Sequence, residues 1–336
     1  MLKLHTIMET TSATVFKLFN FTTCAGIFQT LNGHCVFLHD AAINSFSCFL
    51  GMYIILTNSW VFWILFTRPE DDDTSLSIIL NLALADTFTG WMVIYDAVYN
   101  ILQFTLYVEC ILRIGMFVCC SLASRFIVML LTFERLIKIS NTYTYRKYIN
   151  ITRAKVSLVM VWILSTLVGL LPFFGWSSMN ILHLCSFIRT MSDSYLAFIL
   201  ILHVTPFFFT LYAYIRMVAV VRRHASAIEQ VWRGAGNRRS CTTRAVITTV
   251  IVVGVYFVCW APMGCFSVVV MTNRTDMQES GDWSEHAVFT YLLVLGVTNS
   301  ALNPLIYAYK LDIVRRRFRV SLIYRCLKPC HELPRH

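Results

Sequence analysis

Apolar runs of about 20 residues recur seven times along this chain, at roughly 43–66, 75–101, 110–138, 154–174, 194–221, 243–271 and 287–309. Each is long enough to cross a hydrocarbon core about 30 Å thick. With 57% of its residues apolar and only 14% charged, the chain carries more apolar surface than one soluble core can hide. The expected fold is an all-α membrane protein, a seven-transmembrane helix bundle followed by a short amphipathic eighth helix. No internal repeat or separate soluble domain interrupts it. The expected division is an extracellular amino terminus over 1–42, a membrane domain over 43–309 and a cytoplasmic helix and tail over 310–336.

Seven crossings put the two ends on opposite sides, and basic loops resist translocation. Lys138, Arg146, Lys147, Arg153 and Lys155 lie between the third and fourth runs, and Arg216, Arg222, Arg223, Arg233, Arg238, Arg239 and Arg244 between the fifth and sixth. The tail is basic as well, whereas the alternate loops carry only Arg189 and Arg274 beside several acids. The amino terminus is therefore expected outside, at the plasma membrane. The acidic stretch "RPEDDDT" dissents, but acids count for little in this rule. The net charge of +10 follows from these flanks and from anionic lipid rather than from nucleic acid, which needs a basic face on a folded domain. On this topology Asn20 and Asn273 are usable glycosylation sequons and Asn150 is not. Cys110 and Cys185 face the oxidising side and could pair, as could Cys24 and Cys35. Cys326 and Cys330 end the amphipathic segment "DIVRRRFRVSLIY" and are candidate palmitoylation sites.

Ionisable groups at membrane depth are costly and mark function. Asp86 lies midway along the second run. Ser124, Asn299, Ser300 and Asn303 supply the oxygens that a small hard cation or a water cluster prefers, or else a hydrogen-bond network that fixes packing. Pro172, Pro206, Pro262 and Pro304 are expected to kink their helices. The adjacent acid and base Glu134 and Arg135 close "LLTFER" at the cytoplasmic boundary.

Taken together, Asn58, "LALAD" ending at Asp86, Cys110, Glu134 and Arg135, Trp162, Pro206 with Tyr214, "CWAP" ending at Pro262, and "NPLIY" from Asn303 to Tyr307 resemble the rhodopsin-like G protein-coupled receptors over nearly the whole chain. The resemblance implies a Cys110–Cys185 disulfide, a sodium ion at Asp86 with Ser124, Asn299, Ser300 and Asn303, and no other cofactor. It also implies an activation switch of Glu134, Arg135, Tyr214, Trp260 and Tyr307 that opens a cleft for a heterotrimeric G protein. Such a receptor shifts between two states and performs no chemistry.

Three positions depart from that pattern: Leu136 follows Arg135, Tyr256 stands where phenylalanine is common, and Thr242 where an acid is common. With no acid at Thr242, agonist-independent signalling is expected. Arg125, ten residues and about 15 Å from Arg135 along its helix, is expected to reach Asp86 or the water around it and so weaken or replace sodium; the other reading turns it towards carbonyls freed by Pro206.

The resemblance puts the ligand among the outer halves of the helices. Phe117 replaces the aspartate of amine receptors and Val297 the retinal lysine of opsins. Candidate ligand-binding residues are Phe117, Phe187, Trp260, Phe266, Val294 and Val297 with Ser267, a lining that suits a lipid-like agonist. Asp96 and Arg113 belong near the outer mouth. Arg113 either grips a headgroup or is a structural partner of Asp96 or Glu109. "NLALADT", "CILR", "CSF" and "LGVTNSALNPLIYAY" look most like receptors of the glucose-dependent insulinotropic type, which sense lysophospholipids and fatty-acid ethanolamides through the stimulatory G protein. "LPFFGW" is similar to adenosine receptors, but Ser267, Val297 and Ile188 replace the side chains that adenosine needs. No inverted repeat points to a transporter, and no metal pattern or nucleophile elbow to an enzyme. His203 reads as a hydrogen-bonded core histidine. A receptor-shaped scaffold that signals without ligand is the remaining alternative.

Overall fold

The computed structural model describes residues 28–29, 35–36, 38–67, 73–102, 106–177, 185, 187–231, 239–272 and 283–310. A two-stranded antiparallel ribbon, β1 (Phe28–Gln29) with β2 (Cys35–Val36), precedes the bundle. Seven long helices follow: α1 (Leu38–Phe66), α2 (Thr74–Leu102), α3 (Tyr107–Ser140), α5 (Ile151–Leu170), α7 (Asp193–Val231), α8 (Arg239–Thr272) and α9 (Trp283–Lys310). Two short helices, α4 (Thr142–Tyr148) and α6 (Phe187–Thr190), lie in the connections. Each long helix contains one of the seven apolar runs except at the fourth, where the run ends in a 3₁₀ turn, Leu171–Phe174.

The side chains are arranged as a bilayer requires. On α1, Phe49, Leu56 and Trp63 recur every seven residues and are 77%, 62% and 65% exposed, an apolar stripe that no soluble domain would present to water. Val159, Ile163 and Leu167, spaced four residues apart, form a second exposed apolar stripe on α5. Asn58, Asp86, Ser124 and Asn303 are buried instead, so the polar groups face inward and the apolar ones face outward.

Helix α3 runs through the middle and packs against α2, α5 and α7, burying Ile114, Val118, Leu122 and Ile127. Glycines allow its closest approach to α5: a Cβ on either Gly115 or Gly169 would meet the carbonyl oxygen of the other. Gly51 and Gly90 bring α1 and α2 together in the same way, their added Cβ atoms falling 2.9 and 3.0 Å from the opposite carbonyls.

Pro206, Pro262 and Pro304 lie inside α7, α8 and α9. Pro172 does not kink a helix, contrary to expectation. It opens the 3₁₀ turn that ends α5, a position where its missing N–H is harmless, and Gly175 closes that turn at φ 105°. Asn150 caps α5, its Oδ1 accepting a hydrogen bond of 2.8 Å from the Arg153 N–H.

Asn20, Cys24, Asn273 and the amphipathic segment with Cys326 and Cys330 lie outside the described residues, as do the side chains of Cys35, Thr242 and Tyr307.

Candidate functional site

A cavity of about 490 Å³ opens between α2, α3, α7, α8 and α9, towards the end of the bundle that carries the Cys110–Cys185 disulfide. The disulfide joins the start of α3 to the connection before α6, with the two Cα atoms 5.8 Å apart. It holds Phe187 over the cavity, where the Phe187 ring stacks on Phe289 of α9 at 5.7 Å. Asp96, Arg113, Phe117, Phe187, Trp260, Phe266 and Ser267 all line this space. Val294 and Val297 border a small side pocket that shares Asp96 and Phe117. Sequence reasoning missed Phe207, Tyr256 and Phe289 as wall residues, and it placed Arg125 and His203 elsewhere in function although both face the cavity.

Most of the wall is apolar, and its polar groups are largely engaged. Ser267 Oγ donates to the Met263 carbonyl at 2.8 Å, turned back onto its own helix. His203 Nδ1 lies 2.8 Å from the Ile199 carbonyl; a carbonyl can only accept, so Nδ1 carries the proton and Nε2 is left to the cavity. Asp96 is the acid of the lining, and Arg113 pairs with it.

Arg113 is a clamp. It also donates from Nε to Glu109 Oε1 at 3.1 Å, one helical turn away, and its guanidinium lies 3.6 Å from the centre of the Tyr99 ring. Of the two roles open for Arg113, the contacts are those of the structural partner, and it serves both acids.

Arg125 departs from expectation. It makes no ion pair or hydrogen bond with Asp86, nor with any carboxylate or carbonyl of the described residues. Its guanidinium instead lies over the Trp260 ring, 3.6 Å from the centroid, at the floor of the cavity. The reason is helical geometry: adjacent residues point about 100° apart, so with Ser124 aimed at Asp86, Arg125 must face α8. Trp260 also packs closely on Gly296, where an added Cβ would come within 2.6 Å of the indole.

Beneath the cavity Asp86 is fully buried and accepts three hydrogen bonds, from Ser124 Oγ at 2.8 Å, Ser300 Oγ at 2.8 Å and Asn303 Nδ2 at 2.7 Å. Asn58 ties α1 to this group by donating to the Ser300 carbonyl at 3.0 Å. Asn299 is buried nearby but gives the carboxylate no hydrogen bond. The oxygens of Asp86, Ser124 and Ser300 suit a small hard cation, and the buried Asn58 Oδ1, which has no hydrogen-bond partner, adds an acceptor of the same kind.

At the opposite end of α3, Glu134 is 2% exposed. Ser75 Oγ donates to its Oε1 at 2.9 Å, and Lys138 Nζ lies 3.7 Å from the same oxygen. Arg135 Nε is 3.4 Å from Oε2, yet that oxygen has no hydrogen bond in good geometry. Among the described residues Glu134 is the one carboxylate paired with Arg135. Tyr145 of α4 packs nearby, and burial, then the Glu134 charge, push its phenol up to about 12, so it stays a neutral donor. Tyr214 lies in α7 and Tyr307 in α9.

The family model for the seven-transmembrane receptors of the rhodopsin family matches residues 57–307. G-protein coupled receptor 12 of Rattus norvegicus is 29% identical over 265 residues, 78% of this chain and 76% of the relative. G-protein coupled receptor 6 of Homo sapiens is 28% identical over 271 residues, 80% and 72% of the two chains. Lysophosphatidic acid receptor 3 of Rattus norvegicus is 27% identical over 274 residues, 80% and 74%. With seven helices, the disulfide and the cavity in place, the chain belongs to the rhodopsin family of G protein-coupled receptors, and is a receptor rather than an enzyme.

Proposed function

We propose that this receptor converts the binding of an extracellular lipid-like amphiphile into activation of a G protein of the stimulatory class, with appreciable signalling in the absence of agonist. The observation that carries the ligand reading is the cavity: about 490 Å³, walled by aromatic and aliphatic side chains, with its acid Asp96 already paired to Arg113. An amine ligand finds no free carboxylate there. A nucleoside finds Ser267 committed to its own helix and the apolar Val297 where a hydrogen-bonding side chain would be needed. The relative named for lysophosphatidic acid supports the same class of ligand.

An agonist that fits one arrangement of α3, α8 and α9 better than the other shifts the equilibrium between them, and the Trp260 ring at the cavity floor is where ligand contact meets α8. The far end of α3 supports the high basal signal, since Arg135 is restrained by an adjacent, poorly aligned Glu134. Sodium held by Asp86, Ser124 and Ser300 would favour the resting state. The same reading places the amino terminus outside the plasma membrane, with glycans on Asn20 and Asn273.

The test is a second-messenger assay in cells expressing the receptor, with lysophospholipids, fatty-acid ethanolamides, free fatty acids and adenosine run side by side. The proposal predicts raised cyclic AMP without ligand and a further response to one of the lipid classes. A response to adenosine alone would overturn it.

A further inference from the structure

Two arginines of α3 are buried, and only one of them has its charge answered. Arg125 is 6% exposed, lines the cavity floor and forms no ion pair among the described residues; its Nε is buried with no hydrogen-bond partner. The neighbouring Trp260 Nε1–H is a second buried donor with no acceptor. Taking a cation out of water without a counter-charge is costly, and an aromatic face recovers about 2 kcal/mol of that when desolvated. The acid of the cavity wall cannot help, because Asp96 is neutralised by Arg113, twelve residues and about 18 Å away along α3. Asp86 is occupied by Ser124, Ser300 and Asn303. The floor of an otherwise apolar cavity is thus left with one uncompensated positive charge and a set of N–H donors without acceptors.

We infer that Arg125 is the binding site for the carboxylate of a single-chain amphiphile, which enters head-first so that its acid group meets the guanidinium while its hydrocarbon chain fills the space below Phe187 and Phe289. This rests on the amphiphile reading above and specifies its head group and orientation. A carboxylate matches the planar fork of an arginine with two parallel hydrogen bonds. It is preferred over a phosphomonoester on charge: the phosphate carries about −1.5 to −2, and a single arginine would leave part of that buried and unanswered. The contact with Trp260 holds the guanidinium at the cavity wall before the ligand arrives.

The full-length receptor, purified in a non-ionic detergent, is titrated with oleic acid and with oleamide, which share a chain and differ in the charge of the head. Thermal stability reads the affinity. The native receptor is expected to bind the acid at least about tenfold more tightly than the amide, the advantage of a charge-assisted hydrogen bond over a neutral one. Arg125→Leu is expected to erase that preference while retaining amide binding, and Arg125→Lys to keep part of it. Should Arg125→Leu not fold, Arg125→Gln serves in its place, and the acid-to-amide ratio of the native receptor needs no variant. Equal affinity for the two, or a preference that survives loss of the arginine, overturns the anion site and leaves the amphiphile reading standing. Binding of neither ligand overturns both.

Discussion

Arg113 and Arg125 lie twelve residues apart on the same helix, both buried, and differ in what surrounds them. Arg113 pairs with Asp96 and Glu109 and lies on Tyr99. Arg125 has Trp260 and a cavity. A buried cation with two carboxylates around it holds elements in place. A buried cation with an aromatic plane and empty space beside it is available to a ligand, and the difference between the two is one of partners rather than of burial.

The largest effect that sharpens this contrast is at the paired site. Arg113→Ala leaves Asp96 and Glu109 without their cation and is expected to cost about 3 kcal/mol, with a corresponding loss of folded receptor at the cell surface. Thermal unfolding of the purified protein measures it, and an unchanged melting temperature would remove the clamp from the account.

Next in size is Gly296→Ala. The new methyl group meets the Trp260 ring, and overpacking of this kind costs about 2 kcal/mol. Because the Trp260 ring that Arg125 lies over must shift, ligand-independent cyclic AMP is expected to change along with stability. A variant that loses stability with basal signalling intact would separate Trp260 from the switch.

Arg125→Leu is the converse of the clamp. It removes an unpaired buried charge along with its stack on Trp260, so the protein is expected to stay within about 1 kcal/mol of the native stability or to gain. A loss as large as that of Arg113→Ala would show that Arg125 has a structural partner. A comparably small effect belongs to Ser75→Ala, which deletes the 2.9 Å hydrogen bond to Glu134, costs about 1 kcal/mol and should raise basal signalling. Lower basal output would contradict the restraint assigned to Glu134.

The same two arginines show what a sequence can disclose. The seven spans were legible because membrane thickness sets a run length, and that length is independent of how the helices pack. The convergence of Ser124, Ser300 and Asn303 on Asp86 was legible because polar groups at membrane depth must find one another. Glu109 lies four residues before Arg113, a spacing that already makes them neighbours on a helix. Arg125 was misread because depth along the helix was considered without direction around it. Its successor-and-predecessor relation to Ser124 excludes a shared target, which a helical wheel would have shown. Phe289 and Phe207 could not be assigned to the wall from sequence, since aromatic residues at helical spacing look alike whether they face lipid, core or cavity. Gly296 carried a faint signal, an isolated glycine inside an apolar helix, which often marks close approach.

The central claim is that the interhelical cavity, rather than the lipid-facing surface, receives the ligand. A photoreactive fatty acid with a diazirine in its chain, crosslinked to the full-length receptor in vesicles and mapped by peptide mass spectrometry, tests this directly. The account predicts adducts on cavity residues such as Phe117, Phe207 and Phe289, suppressed by excess unlabelled oleic acid. Adducts confined to the outward stripes of Phe49, Leu56, Val159 and Ile163, with no competition, would contradict it.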